Sequence, residues 1–264
     1  MNLELLTKQV ANLTRATGAY IKNEIKNLNS DDIKNKGVND FVTYVDQSAE
    51  KRLVSELGKL LPEAGFIAEE DTTLKKNDRY NWIIDPLDGT TNFVHGLPVF
   101  SISIALVENQ EILLGVVYEI NQHECFYAWK QGGAFLNGHK IQVSKSEQIK
   151  DSLFATGFPY TEFSRLEAYT EVFLHLMQNS HGIRRLGSAA VDLAYLACGR
   201  FDAFFEYGLN PWDVAGGAII VKEAGGFVTD FTGGKNYLFG KEMVASNAGI
   251  YMEFIGIIKS RFTT

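Results

Sequence analysis

The chain opens on MNLELLTKQVANLTRATGAYIKNEI, where Leu3, Leu6, Val10 and Leu13 recur at the spacing of one helix face and charged residues fill the remainder. The pattern predicts an amphipathic first helix, not a targeting segment. A polar stretch follows, NLNSDDIKNKGVND, and reads as an exposed, mobile loop. In FVTYVDQSAEKRLVSELGKLL a short strand passes into a second helix, with Asp46 or Ser48 as N-cap and Pro62 as the stop. GFIAEED reads as a strand ending in acids, and DTTLKKNDRY as another polar loop. The apolar runs NWIID, VFSISIALVE, EILLGVVYEI and HECFYAWKQ, rich in β-branched and aromatic residues, predict strands. Gly132–Gly133 and Asn137–Gly138 punctuate a hairpin region.

Around residues 145–152 the chain turns polar, SKSEQIKDS, and the pattern changes beyond it. That sets a boundary between an N-terminal α+β half, residues 1–147, and a C-terminal α/β half, residues 148–264. In the second half LFATGF reads as a strand, SRLEAYTEVFLHLMQ as an amphipathic helix and HGIRRLG as a short strand or loop. SAAVDLAYLACG is a small-residue helix, FDAFFEYG a strand, and PWDVAGGAIIVKEAGG a helix with Pro211 near its start. No internal repeat or low-complexity tract is present. Strands first and alternation afterwards suggest a layered α/β or α+β sandwich.

Composition narrows the function. A chain of 264 residues with 45% hydrophobic content can bury a large core, as one domain or two intimately packed halves. A net charge of −7 with no compensating basic stretch argues against nucleic acid as a partner. It leaves room for a small phosphorylated substrate, since a bound metal inverts the local field. Cys125 and Cys198 stand far apart, which favours reduced thiols and a cytoplasmic protein. No apolar run is long enough to cross a membrane, so no membrane partner is expected.

The acids raise the sharper question. In WIIDPLDGTTNFVH an apolar run ends in Asp85 and Asp88 around Pro86, which forces a turn, and Gly89 permits a sharp bend. Such residues also occur in ordinary turns. Glu69, Glu70 and Asp71 close another apolar run, and Asp213 stands near a helix start, where an acid suits the macrodipole with no function at all. Gathered together, these carboxylates would repel one another unless divalent cations neutralised them. An all-oxygen set suits Mg²⁺ or Mn²⁺. Ions held this way can activate water and clamp a phosphate.

WIIDPLDGTTNFVH, together with IAEE and NPWDVAGG in that family's order, closely resembles the inositol monophosphatase family of Mg²⁺-dependent phosphatases. The resemblance runs from KGVNDFVTYVD to KEAGGFVTDFTG. It implies an αβαβα sandwich, lithium sensitivity and a homodimer. It further implies that Glu69, Asp85 and the Leu87 carbonyl ligate one Mg²⁺, that Asp85, Asp88 and Asp213 hold a second, and that a weaker third shares Glu69. Thr90 with Glu69 would orient and deprotonate the attacking water, Asp46 would support Thr90, and the Gly89 and Thr90 amides would cradle the phosphate. Glu70 would order Glu69 from behind, and Lys36 matches a basic residue of the family's mobile loop. Gly187, Ser188 and Ala189 match the stretch facing the inositol ring, and Glu206, with Asp88 and Asp213 beside the ring, the acid that accepts from its hydroxyls. Ala68 departs from the pattern, where Gly or Ser is more usual.

The expected activity is therefore hydrolysis of myo-inositol monophosphates. The alternatives are a related phosphatase acting on fructose 1,6-bisphosphate, 3′-phosphoadenosine 5′-phosphate or another sugar phosphate, and a non-catalytic, metal-stabilised scaffold. Arg184 and Arg185 are expected to serve an interface or salt bridge, the five histidines to be bystanders, and Trp82 and Trp212 to be core anchors.

Overall fold

The computed structural model describes residues 1–25, 27, 33–37, 40–71, 74–159 and 162–262, with backbone alone for 33–37 and 40–42. Helix α1 (Leu3–Glu24) is followed by the antiparallel pair β1 (Ile33–Gly37) and β2 (Asp40–Thr43), then by helix α2 (Tyr44–Leu60). The predicted loop over residues 27–40 is thus corrected where it is described: Ile33–Gly37 is a strand. The N-cap of α2 is also corrected, to Thr43. Its hydroxyl accepts the Val45 N–H at 3.1 Å while the Asp46 carboxylate accepts the Thr43 N–H at 2.9 Å. Asp46 is therefore the far partner of a capping box and not the cap itself.

Both helices lie on one face of a seven-stranded sheet. Its order is β3 (Gly65–Ala68), β4 (Tyr80–Asp88), β5 (Ser101–Glu108), β6 (Glu111–Glu119), β7 (Glu124–Trp129), β8 (Gly133–Leu136) and β9 (His139–Ile141). The β3–β4 pair is parallel and the remaining pairs antiparallel. Asn137 and Gly138, both at positive φ, make the predicted tight turn between β8 and β9. Strand alternation divides the core. Along β5, Ile102, Ile104 and Leu106 belong to the cluster under α1 and α2, while Ala105 and Val107 belong to the opposite one.

That opposite cluster is filled by α5 (Ala189–Ala197) and α6 (Pro211–Glu223), which lie between the first sheet and a second. The second sheet has five strands, in the order β11 (Gly182–Arg184), β10 (Leu153–Thr156), β12 (Ala203–Tyr207), β14 (Glu242–Ser246) and β13 (Phe227–Thr229). Helices α4 (Leu166–Asn179) and α7 (Tyr251–Phe262) cover its outer face through Phe154, Phe205 and Phe254. The layers are helix, sheet, helix, sheet, helix, as expected. Close packing of the middle layer depends on absent side chains: a Cβ on Gly115 would meet the Gly216 carbonyl at 2.5 Å.

Strand β4 differs from expectation in a way that matters for the site. Pro86 does not end it. Asp85 pairs with Ser103 and Asp88 with Ser101, so one extra residue is accommodated in β4 as a bulge. The short helix α3 (Thr90–Val94) begins directly after Gly89.

Candidate functional site

The ends of β3 and β4, the start of α3 and the N-termini of α5 and α6 converge on a cavity of about 280 Å³. Glu69, Asp85, Leu87, Asp88, Gly89, Thr90, Gly187, Ser188, Ala189, Glu206 and Asp213 all line it. The remaining residues singled out in the sequence stand elsewhere. Asp46 is buried behind Thr90, and Glu70 lines a separate pocket beside α2. Lys36 has its backbone in β1, and its side chain lies outside the described residues.

Three carboxylates at the metal end, those of Asp85, Asp88 and Asp213, are held by the chain around them. Asp85, 2% exposed, accepts the Leu87 N–H at 2.9 Å, an interaction the bulge makes possible. Asp88 accepts the Ser188 hydroxyl at 2.5 Å and the Ala190 N–H at 2.8 Å, which ties the end of β4 to the start of α5. Asp213, third residue of α6, accepts the Asn210 N–H at 2.7 Å in a capping box. The macrodipole role anticipated for Asp213 and a place in the cavity wall thus coexist. The second oxygens of Asp85 and Asp213 have no hydrogen-bond donor among the described residues.

Thr90 links this end to α2. Its hydroxyl lies 3.1 Å from Asp46 Oδ1 and 2.9 Å from the Leu87 carbonyl, two acceptors for one proton. A hydroxyl so engaged has lone pairs left to accept a hydrogen bond from water. Asp46 Oδ2 in turn accepts from the Thr43 hydroxyl at 2.6 Å. Gly89 makes the tight link, with φ at +96° and a would-be Cβ 3.2 Å from the Gly187 carbonyl. Only glycine adopts that conformation freely and admits that approach.

The electrostatics of these acids point to a cationic partner. Burial raises the Asp85 carboxyl well above the ordinary range, and the charges of Glu69, Asp88 and Asp213 push it further. Burial raises Asp88 to about 6, against the hydrogen bonds from Ser188 and α5 and the charge of Arg185. Asp213 is raised by burial first and by Asp88 second. Arg185 is the single cationic side chain among the described lining residues. Acids in such surroundings call for a cation. In this arrangement, no three His, Cys, Asp or Glu side chains among the described residues are gathered closely enough to form a ready cage. Free carboxylate oxygens, the Leu87 carbonyl and room for water nevertheless suit a hard divalent ion.

The far end of the cavity is built from Glu206 on β12, Asp192 on α5, Arg185, Gly157 and Phe158. Burial, then the charge of Asp88, raises Glu206 to about 8. Burial and the charges of Glu206 and Asp88 raise Asp192 well above the ordinary range, and buried Asp192 Oδ1 has no hydrogen-bond partner among the described residues. Sequence reasoning missed Asp192 and gave Arg185 no place here. An acid inside the small-residue run AAVDLAYLA, where every neighbouring turn is apolar, was the available signal. Arg185 lies over the Phe158 ring, 5.5 Å from its centroid. Asn92 was missed as well. Its amide donates to the Val99 carbonyl at 2.7 Å and the Leu186 carbonyl at 2.8 Å, pinning the Gly187 segment to α3. Trp82 is the expected core residue, fully buried, whereas Trp212 lines the cavity. None of the five histidines lines it.

Comparison with known proteins places the chain among phosphatases. A model described as the inositol monophosphatase family matches residues 2–260, and the chain belongs to that family, which is generally metal-dependent. It is 45% identical over 226 residues to the fructose-1,6-bisphosphatase/inositol-1-monophosphatase of Thermotoga maritima, covering 85% of each chain. It is 42% identical over 234 residues to Nus factor SuhB of Escherichia coli K12, covering 88% of each. Among solved structures, SuhB from Bartonella henselae superposes with a TM-score of 0.88 at 36% identity, over 98% of this chain and 99% of that one. No helix among the described residues is long and apolar enough to cross a membrane.

Proposed function

We propose that the protein is a Mg²⁺-dependent phosphomonoesterase that hydrolyses myo-inositol monophosphates to inositol and phosphate by direct attack of water. The observation that carries this reading is the Thr90 hydroxyl set between Asp46 and the Leu87 carbonyl, beside carboxylates from three different elements. In this reading Glu69, Asp85, Asp88, Asp213 and the Leu87 carbonyl hold two to three Mg²⁺ ions, or Mn²⁺ in their place. When bound, such ions neutralise phosphate charge and lower the pKa of water. The chain supplies the rest. Thr90 and Glu69 orient and deprotonate the water, Asp46 fixes Thr90, and the Gly89 and Thr90 amides receive the phosphate. Glu206, with Gly187, Ser188 and Ala189, receives the polyol: a half-buried carboxylate that accepts no hydrogen bond among the described residues suits neighbouring hydroxyls. The protein is read as a cytoplasmic homodimer.

The name Nus factor borne by the E. coli relative belongs to that protein; the filled Thr90–Asp46 arrangement favours catalysis over a scaffold here. Phosphate release at fixed Mg²⁺, with and without EDTA, tests the reading. The substrates are myo-inositol 1-phosphate, fructose 1,6-bisphosphate, 3′-phosphoadenosine 5′-phosphate and β-glycerophosphate. The expected result is the highest kcat/KM for inositol phosphate, abolished by EDTA. A higher value for another substrate replaces the polyol assignment, and no release from any of them returns the scaffold reading.

A further inference from the structure

Glu69 stands where its chain leaves the first sheet. On its N-terminal side it is still anchored, because the Glu69 amide donates to the Ile84 carbonyl at 3.3 Å and so prolongs the β3–β4 pairing. On its C-terminal side one side chain takes the next two amides. Glu50, from the middle of α2, accepts the Glu70 N–H on Oε2 and the Asp71 N–H on Oε1, each at 2.8 Å. Glu50 is only 3% exposed, although in QSAEKR it reads as an ordinary residue of a solvated helix face. A carboxylate is costly to bury, and here both oxygens are met by backbone donors in a charge-assisted pair.

Glu50 lies four residues after Asp46, on the same face of α2. Asp46 holds Thr90 and Glu50 holds the segment carrying Glu69, so a single helix reaches both. We propose that Glu50 is a positioning residue for Glu69, and that α2 acts as a bar whose two carboxylates set the Glu69 segment and Thr90 at a fixed spacing. This rests on Glu69 being a metal ligand. With the clamp in place, metal binding does not have to order residues 69–71. Without it that ordering cost falls on the binding equilibrium.

Wild-type protein and Glu50→Gln, both full-length and stripped with EDTA, would be compared by three measurements. These are amide hydrogen exchange at Glu70 and Asp71, calorimetric titration with Mn²⁺, and activity as a function of Mg²⁺. Glutamine keeps the size of the side chain but presents an NH₂ donor to one of the two N–H groups. In the wild type both amides are expected to exchange well below the rate of unprotected amides, and in the variant about tenfold faster. The Mn²⁺ Kd and the Mg²⁺ concentration for half-maximal rate should each rise about tenfold, with kcat at saturating Mg²⁺ within about threefold. Glu50→Asp, which withdraws the carboxylate by one methylene, should shift both metal dependences in the same direction and serves if the glutamine variant does not fold. Unprotected amides in the wild type, an unchanged Mn²⁺ Kd, or a loss confined to kcat would overturn the proposal. If the wild type takes up no Mn²⁺, the metal reading of Glu69 fails instead, while the exchange data still judge the clamp.

Discussion

The two ends of the cavity are built on different terms. At the end formed by β4, α3 and α6, Asp85, Asp88 and Asp213 each have an oxygen tied to a backbone amide, and Thr90 is pinned between two acceptors. At the end formed by β12 and α5, one buried Asp192 oxygen has no donor among the described residues and Glu206 stands against Gly157, whose would-be Cβ lies 2.0 Å from a Glu206 oxygen. One end is organised before anything binds. The other has hydrogen-bonding capacity still to be satisfied, and a ligand can satisfy it. Preorganisation serves bond-making, where reorganisation is expensive. Unmet acceptors serve recognition, where a missing partner is penalised.

Breaking the organised end should have the largest effect. Asp88→Asn keeps an oxygen for the Ser188 hydroxyl and the Ala190 amide, so the fold should survive with little change in Tm. It removes a negative charge facing the metal, and kcat/KM should fall on the order of 10³-fold. Near-wild-type turnover at saturating Mg²⁺ would remove Asp88 from the ligand set.

The unsatisfied end should reveal itself in the pH dependence of stability. Burial holds Glu206 at about 8, against 4.5 for the free side chain. Between those values the folded metal-free protein keeps a proton that the unfolded chain releases, so stability falls as pH rises through that window. Thermal unfolding in EDTA from about pH 5 to about pH 8 should show a declining Tm, less steep in Glu206→Gln. An equal slope in the two proteins would mean that Glu206 is not held protonated.

Much of this was legible in the sequence, for reasons that differ between regions. The β-branched and aromatic content of VFSISIALVE marks a strand, the helical spacing of Leu6 and Val10 marks a buried helix face, and both elements formed as expected. The metal-end residues were legible because WIIDPLDGTTN keeps them within one short stretch. The bulge at Pro86 was not, since Asp-Pro suits a turn equally well, and only pairing with Ser101 and Ser103 decides the matter. Strand β1 was hidden by its polar composition, IKNKG, whereas its partner β2 was expected from FVT. Asp192, Arg185 and Glu50 escaped because their roles depend on what packs across from them. Ala68 departs from the family's usual residue without visible strain: it is 3% exposed, and its methyl joins the core under α2.

The central claim is that bond-making and recognition occupy separate ends of one cavity. Its most direct test is kcat/KM for myo-inositol 1-phosphate and for β-glycerophosphate, in wild type and Glu206→Gln, at saturating Mg²⁺. The account predicts a loss of about tenfold for the inositol ester, carried by KM, and less than about twofold for the short glycerol ester. Equal losses for both substrates, or a loss carried by kcat, would contradict it.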